Sequence, residues 1–147
     1  MPLLDQQQYD RVIEKGKAAV TAIKNNDVET FLLKANEGWE EFPEPKDSWN
    51  QGYNYAKMVF KHLLEHRRFD DAKIWLNRMA DNNNTLHNFD NEVTFYEGKF
   101  YFEKGDYKNA LTKWQEVVKE TGFRYFEGEQ PEYISFYNNP SAQTGQS

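Results

Sequence analysis

The 147-residue chain contains no cysteine, and that absence excludes disulfides, thiolate zinc sites, iron–sulfur clusters and cysteine nucleophiles. Aliphatic residues are scarce. Leu, Ile, Val and Phe together number 31, just above the composition that leaves a chain unfolded, and the mean hydropathy is -0.98. No apolar run approaches the roughly 20 residues needed to span a bilayer. The eight glycines are scattered singly, so no Gly-rich phosphate loop exists, and there is no G-x-S-x-G elbow among only four serines. Carboxylate pairs are uninformative, because 24 acids in helices place pairs at any separation. No cofactor is expected and no enzyme.

What compensates for the missing aliphatics is aromatic. Eleven Phe, nine Tyr and four Trp make up 16% of the chain, and each buries on the order of 150–250 Å². One folded domain over residues 1–140, with a core built on rings, is the first expectation; Ser141–Ser147 reads as a disordered tail. The segment Met1 to Gln6 has neither the basic nor the apolar region of a signal peptide, so the expected location is cytoplasmic. Acids outnumber Lys and Arg by 24 to 18, a net charge of -6. That argues against nucleic-acid and anionic-membrane binding, which neutralise phosphate with basic side chains.

The periodicity is helical throughout. Tyr9, Val12, Ile13, Gly16, Ala19, Val20 and Ile23 form one apolar face, broken at Asn25-Asn26-Asp27. Val28, Phe31, Leu32, Ala35 and Trp39 start a second helix, which Pro43 and Pro45 end. Asp47 or Ser48 is placed to cap a third, whose face is Tyr53, Ala56, Val59, Phe60, Leu63 and Leu64. After a turn at His66–Asp70 come Ala72, Trp75, Leu76 and Met79. Asp81-Asn82-Asn83-Asn84 reads as a polar loop. Phe89, Val93, Tyr96, Phe100 and Tyr101 mark a fifth helix. A sixth runs from Tyr107 through Trp114 to Val118 and is closed by Gly122; Pro131 to Tyr137 forms a short seventh. The expected fold is all-α, with three consecutive antiparallel hairpins and a C-terminal helix.

An internal repeat organises these hairpins. Gly98, Tyr101, Gly105, Asp106, Tyr107, Ala110 and Trp114 fall at the spacing of the 34-residue tetratricopeptide pattern. The segment Asn91–Arg124 therefore resembles that repeat family, and the resemblance implies hairpins stacked as a short solenoid. Phe69, Ala72, Leu76 and Met79 match Tyr107, Ala110, Trp114 and Val117 at a constant offset of 38 residues. Phe60 stands where Gly98 would repeat, which predicts a more splayed middle hairpin. In the first unit Phe31 takes the small-residue position.

Three surfaces are candidates for function. His62-Leu63-Leu64-Glu65-His66 spells H-x-x-E-H, the inverted zinc-protease motif. With Arg67 and Arg68 beside it and no third ligand apparent, the expectation is surface histidines and no metal. The second surface is acidic: Glu37, Glu40, Glu41, Glu44 and Asp47 cluster with Trp39, Trp49 and Tyr53 close by. Aromatics among like charges have the composition of a protein interface, and equally of a solenoid cap. The Glu127, Glu129 and Glu132 cluster, among Phe123, Tyr125, Phe126 and Tyr133, reads as a cap. The third surface is the groove that a tetratricopeptide stack lines with the first helix of each hairpin. Repeat register places Asn54, Lys57, Lys61, Glu92, Phe95, Tyr96 and Lys99 there, a set that could grip an acidic peptide.

The small acidic chain, its repeat type and its aromatic ending, Arg124–Glu129 and Pro131–Tyr137, also resemble single-domain immunity proteins of bacterial toxin–immunity systems. That resemblance implies a partner that is another protein, a cognate toxin domain such as a basic nuclease, which the chain would block. The alternative is an adaptor whose groove holds an acidic peptide.

Overall fold

The computed structural model describes residues 4–87 and 90–141, so the expectations for Phe89 and for the tail beyond Ser141 lie outside the described residues. Every regular element among them is helical: α1 (Gln6–Lys24), α2 (Val28–Glu40), α3 (Asn50–Glu65), α4 (Phe69–Leu86), α5 (Asp90–Lys104), α6 (Tyr107–Thr121) and α7 (Pro131–Asn138). Single 3₁₀ turns lie at Lys46–Ser48 and Arg124–Phe126. The dominant packing is α1 on α2, α3 on α4 and α5 on α6; α4 then packs on α5 and, less extensively, α2 on α3. The result is consecutive hairpins, in order along the chain. No described helix is long and apolar enough to cross a membrane.

The three hairpins share one turn, although their turn sequences differ. Asn26, Arg67 and Gly105 all take left-handed backbone, with φ of 61°, 58° and 92°. The next residue, Asp27, Arg68 or Asp106, has φ of -95°, -91° or -91°. Its N–H donates back to the carbonyl of Ala22, Leu63 or Tyr101 at 2.9, 2.9 and 2.8 Å. Asp27 and Asp106 also cap the helix they open, accepting from the N–H of Thr30 and Asn109. Arg68 has no carboxylate to do this and instead pairs with Glu29 at 3.0 Å and Asp71 at 3.1 Å.

Two aromatic cores fill the stack. The larger joins α1 to α5 and centres on Trp39, whose ring meets Phe42, Tyr55 and Trp75 at 5.3, 6.3 and 5.6 Å. The smaller lies between α5, α6 and α7, around Trp114, which is fully buried. Its Nε1 donates to the Phe95 carbonyl at 3.0 Å, and its ring meets Phe126, Tyr133 and Phe136. Gly98 makes this seat: a Cβ there would overlap the Trp114 indole.

Three expectations are corrected. The middle hairpin is not splayed, since α3 and α4 pack as extensively as α5 and α6. Phe60 turns instead toward the next hairpin and meets Tyr96 edge-on at 6.0 Å. Asp47 and Ser48 do not cap α3; they sit in the 3₁₀ turn before it, and the residue at the cap position is Trp49. The asparagine run at 81–84 is not a loop. It continues α4 to Leu86, because Asn82 and Asn83 are buried there with partners. Asn82 Nδ2 donates to the Trp49 carbonyl at 2.8 Å, and Asn83 Nδ2 donates to Asp90. A buried amide with its bonds made costs little, so the helix runs on.

The seat of Trp114 yields a paired test. Gly98→Ala should lower unfolding free energy by roughly 1–3 kcal/mol, the usual cost of overpacking, despite alanine's better helix propensity. Gly16→Ala places a Cβ 3.5 Å from the Tyr55 ring, an ordinary contact, so that variant should match or exceed the parent stability. Urea denaturation of the two variants checks both signs.

Candidate functional site

The first helices of the hairpins, α1, α3 and α5, share one face, and that face has two unlike halves. At the α5 end it is partly filled from within, and a polar cavity of about 410 Å³ remains there, bordered by Lys61, Glu65, Arg67, Glu103 and Glu129. Tyr125 stacks on Phe95 at 5.9 Å and Phe126 meets the same ring edge-on at 5.1 Å, leaving Phe95 only 1% exposed. Lys99 is buried and pairs with Glu129 at 3.0 Å, while Tyr133 donates to Glu103. The segment after α6 thus covers part of the third hairpin's share of the face. Between α3 and α5, Tyr53 Oη donates to Glu92 Oε1 at 2.7 Å, and Lys57 Nζ reaches the same oxygen at 3.1 Å. The Lys57 ammonium lies 5.9 Å and 5.8 Å from the Tyr53 and Tyr96 rings. Burial, then the bond to Glu92, raises the Tyr53 phenol above its ordinary value; burial does the same to Tyr96.

These contacts correct the expected groove. Lys57 and Lys99 are tied to Glu92 and Glu129, and Tyr96 is buried under them. Of the expected residues, Asn54 and Lys61 remain exposed.

The open half lies at the other end. Between α1 and α3 a groove of about 610 Å³ is floored by Val12, Ile13, Gly16, Val20 and Met58, with the Tyr55 ring beneath. Lys17 and Lys24 stand on its rim, and no Asp or Glu is among the described residues that line it. Ile13 is 38% exposed, one of the few large apolar side chains that are. The groove adjoins a second cavity of about 410 Å³ bordered by Asn54, Lys57, Lys61, His62 and Glu65. Among the described residues, Lys17, Lys24 and Lys61 take part in no ion pair. The signal for this site was the width of the α1 apolar stripe. Val12, Ala19, Ala22 and Ile23 are buried, which leaves Tyr9, Ile13 and Val20 as surplus.

Part of the acidic cluster is paired within the fold. Glu37 pairs with Lys15 at 2.9 Å and Lys34 at 3.4 Å, and Glu41 with Arg11 at 2.9 Å. The bond from Lys15 holds the Glu37 carboxyl below its ordinary range. Asp47 accepts from Thr85. Lys46 gathers the carbonyls at the end of α2, bonding Phe42 at 2.7 Å, and lies 3.8 Å from Glu40. Trp39 and Tyr53 are buried and Trp49 is half-buried, its Nε1 donating to the Pro43 carbonyl at 2.9 Å. The aromatics expected as exposed anchors are therefore core, while Glu40 and Glu44 point outward. Arg78 went unread in the sequence; its guanidinium lies 4.3 Å from the Trp75 ring and 5.1 Å from the Trp39 ring.

The H-x-x-E-H residues do not converge. His66 Nδ1 lies 3.0 Å from the His62 carbonyl, the His62 ring sits edge-on to Phe31 at 5.6 Å, and Glu65 is exposed. Among the described residues no three His, Asp or Glu gather into a metal-binding group.

No protein-family model, no curated protein and no solved structure matches this chain.

Partial burial against Phe31 lowers the His62 pKa, Glu65 opposing and His66, Lys61 and Lys24 reinforcing the shift. A histidine held neutral contributes stability that is complete above its unfolded pKa, about 6.5. That contribution is lost as pH falls from there through the lower folded value. The parent should lose more thermal stability between pH 7.5 and 5 than His62→Gln does, as read from melting curves.

Proposed function

We propose that this chain is a non-catalytic binding module for another protein, and that it works as an immunity-type inhibitor of a toxin domain. The observation that carries the binding role is the open apolar groove between α1 and α3 on a rigid stack of hairpins. Serial hairpins are a surface-rich architecture, suited to holding partners. The toxin assignment is supported by the resemblance in size, repeat type and aromatic ending. It is supported also by the outward-facing Glu40 and Glu44, which give a basic toxin domain electrostatic guidance toward the complex.

A second reading, an adaptor for an acidic peptide, is favoured by the unpaired Lys17 and Lys24 beside the groove. In that reading the ligand sits next to α1, not at Lys57 and Lys99.

Affinity capture from the source cell, followed by expression of the captured protein alone and together with this chain, separates the two. The expected result is growth arrest by the partner and recovery on co-expression. A partner that is harmless on its own moves the assignment to the adaptor. For a toxin partner, Glu40→Lys with Glu44→Lys should slow association by about tenfold at low salt and flatten its salt dependence.

A further inference from the structure

The groove's shape and charge specify its occupant more narrowly than a binding role does. We infer that the α1/α3 groove takes a short amphipathic helix of a partner protein, apolar on one face and carboxylate-bearing along its flanks. The inference rests on the binding reading above but not on the partner being a toxin.

Three observations converge. The first is reach. The lining residues of α1 run from Tyr9 to Lys24, about 22 Å at 1.5 Å per residue, the length of a four-turn helix. Tyr9, Ile13, Gly16 and Val20 recur at the three- and four-residue steps that another helix's ridge would meet. The second is closure. The segment after α6 narrows the third hairpin's share of the face, with Tyr125 on Phe95 and Glu129 on Lys99. The cavity that remains beyond Lys61 is lined by Glu65, Glu103 and Glu129, so the apolar, acid-free stretch open to an occupant ends near Lys61. The third is charge. In a chain of net charge -6, this groove is rimmed by Lys17 and Lys24, neither in an ion pair, and no described lining residue is acidic. The adjoining cavity is mixed, with Lys61 and Glu65 both exposed on its border, so the positive edge is that of Lys17 and Lys24. A basic or neutral apolar helix would gain burial only, whereas an acidic one gains burial and charge pairs with those two lysines.

Gly16 lies in the groove floor, and a Cβ there has room. A larger side chain at that position would extend past Tyr55 and Met58 into the groove.

The probe is a fluorescein-labelled peptide of about 14 residues, helix-forming, with leucines at i, i+3, i+4 and i+7 and glutamates flanking them. Its control twin carries lysine for every glutamate. Anisotropy titrations with the full chain should show the acidic peptide binding at least tenfold tighter than the twin. Lys17→Glu with Lys24→Glu should reverse that preference. Gly16→Leu should weaken binding at least tenfold, and its urea midpoint, read alongside, separates a blocked groove from a loosened fold. Lys108→Glu with Lys119→Glu, the same charge change on exposed positions of α6, should alter neither.

Equal affinity for both peptides, or binding indifferent to Lys17, Lys24 and Gly16, overturns the inference. So does a concentration-dependent dimer that Gly16→Leu dissociates, since the groove would then belong to a second copy. If the peptides fail while the chain neutralises a toxin, the groove assignment falls and the function stands. If the peptides bind as expected while the captured partner is harmless, the groove stands and the toxin reading falls.

Discussion

The stack depends on large rings being seated where most helical proteins would use leucine. Trp114 over Gly98 is the extreme case: the indole lies where any side chain at position 98 would collide with it, and its N–H is satisfied by the Phe95 carbonyl. Burying an indole is favourable only when that donor finds a partner. Here the bond goes to the neighbouring helix's backbone, so it fixes the register of α5 on α6 as well as their distance. The same ring then meets Phe126, Tyr133 and Phe136, which brings the chain after α6 back onto the hairpin. One glycine on α5 thus sets the hairpin and also the position of its C-terminal cover.

From that cover follows the asymmetry of the α1/α3/α5 face. Once Tyr133 is anchored in the Trp114 core, Glu129 is held beside Lys99, and Tyr125 beside Phe95. Each contact consumes a group that an open groove would offer to a ligand. At the opposite end no segment plays this part among the described residues. Leu4 is buried and its N–H lies 3.4 Å from Gln51, which secures the start of α1 to α3 but leaves Ile13, Lys17 and Val20 uncovered. The face is narrowed where the segment after α6 folds back onto it, and stays apolar and open between α1 and α3.

The hairpin order and most core positions were legible, because helical periodicity and the spacing of Gly98, Tyr101, Gly105, Ala110 and Trp114 are local properties. What was not legible depended on direction. Trp39, Tyr53, Tyr55 and Tyr96 are surplus to the repeat, and in one dimension a surplus aromatic beside glutamates is indistinguishable from an interface anchor. Only the packing of Trp39 on Phe42, Tyr55 and Trp75 shows that it turns inward. Asn82 and Asn83 failed for a related reason. Their loop preference is real in isolation, and it was outweighed by bonds to Trp49 and Asp90 contributed from other elements. The shared turn runs the other way: Asn26 and Arg67 hold the left-handed geometry that Gly105 adopts without strain, so the repeat is more regular in backbone than in sequence.

Charge, too, depends on direction. Counted along the chain, the residues before position 48 are strongly acidic, and a cluster such as Glu37–Asp47 invites a basic partner. Folded, Lys15 and Arg11 come across from α1 to meet Glu37 and Glu41, and Lys34 meets Glu37 along α2, so part of that acidity is paired inside the first hairpin. The lysines left over on α1 are those facing away from α2, and those are Lys17 and Lys24. A helix whose acids and bases pair along one seam shows the remainder of its charge on the other side. On α1 the charges outside any ion pair among the described residues are Asp10, Glu14, Lys17 and Lys24, and of these the two lysines line the apolar groove. The pairing within the first hairpin thus leaves two lysines, and no acid among the described lining residues, beside an apolar groove in a chain whose net charge is -6.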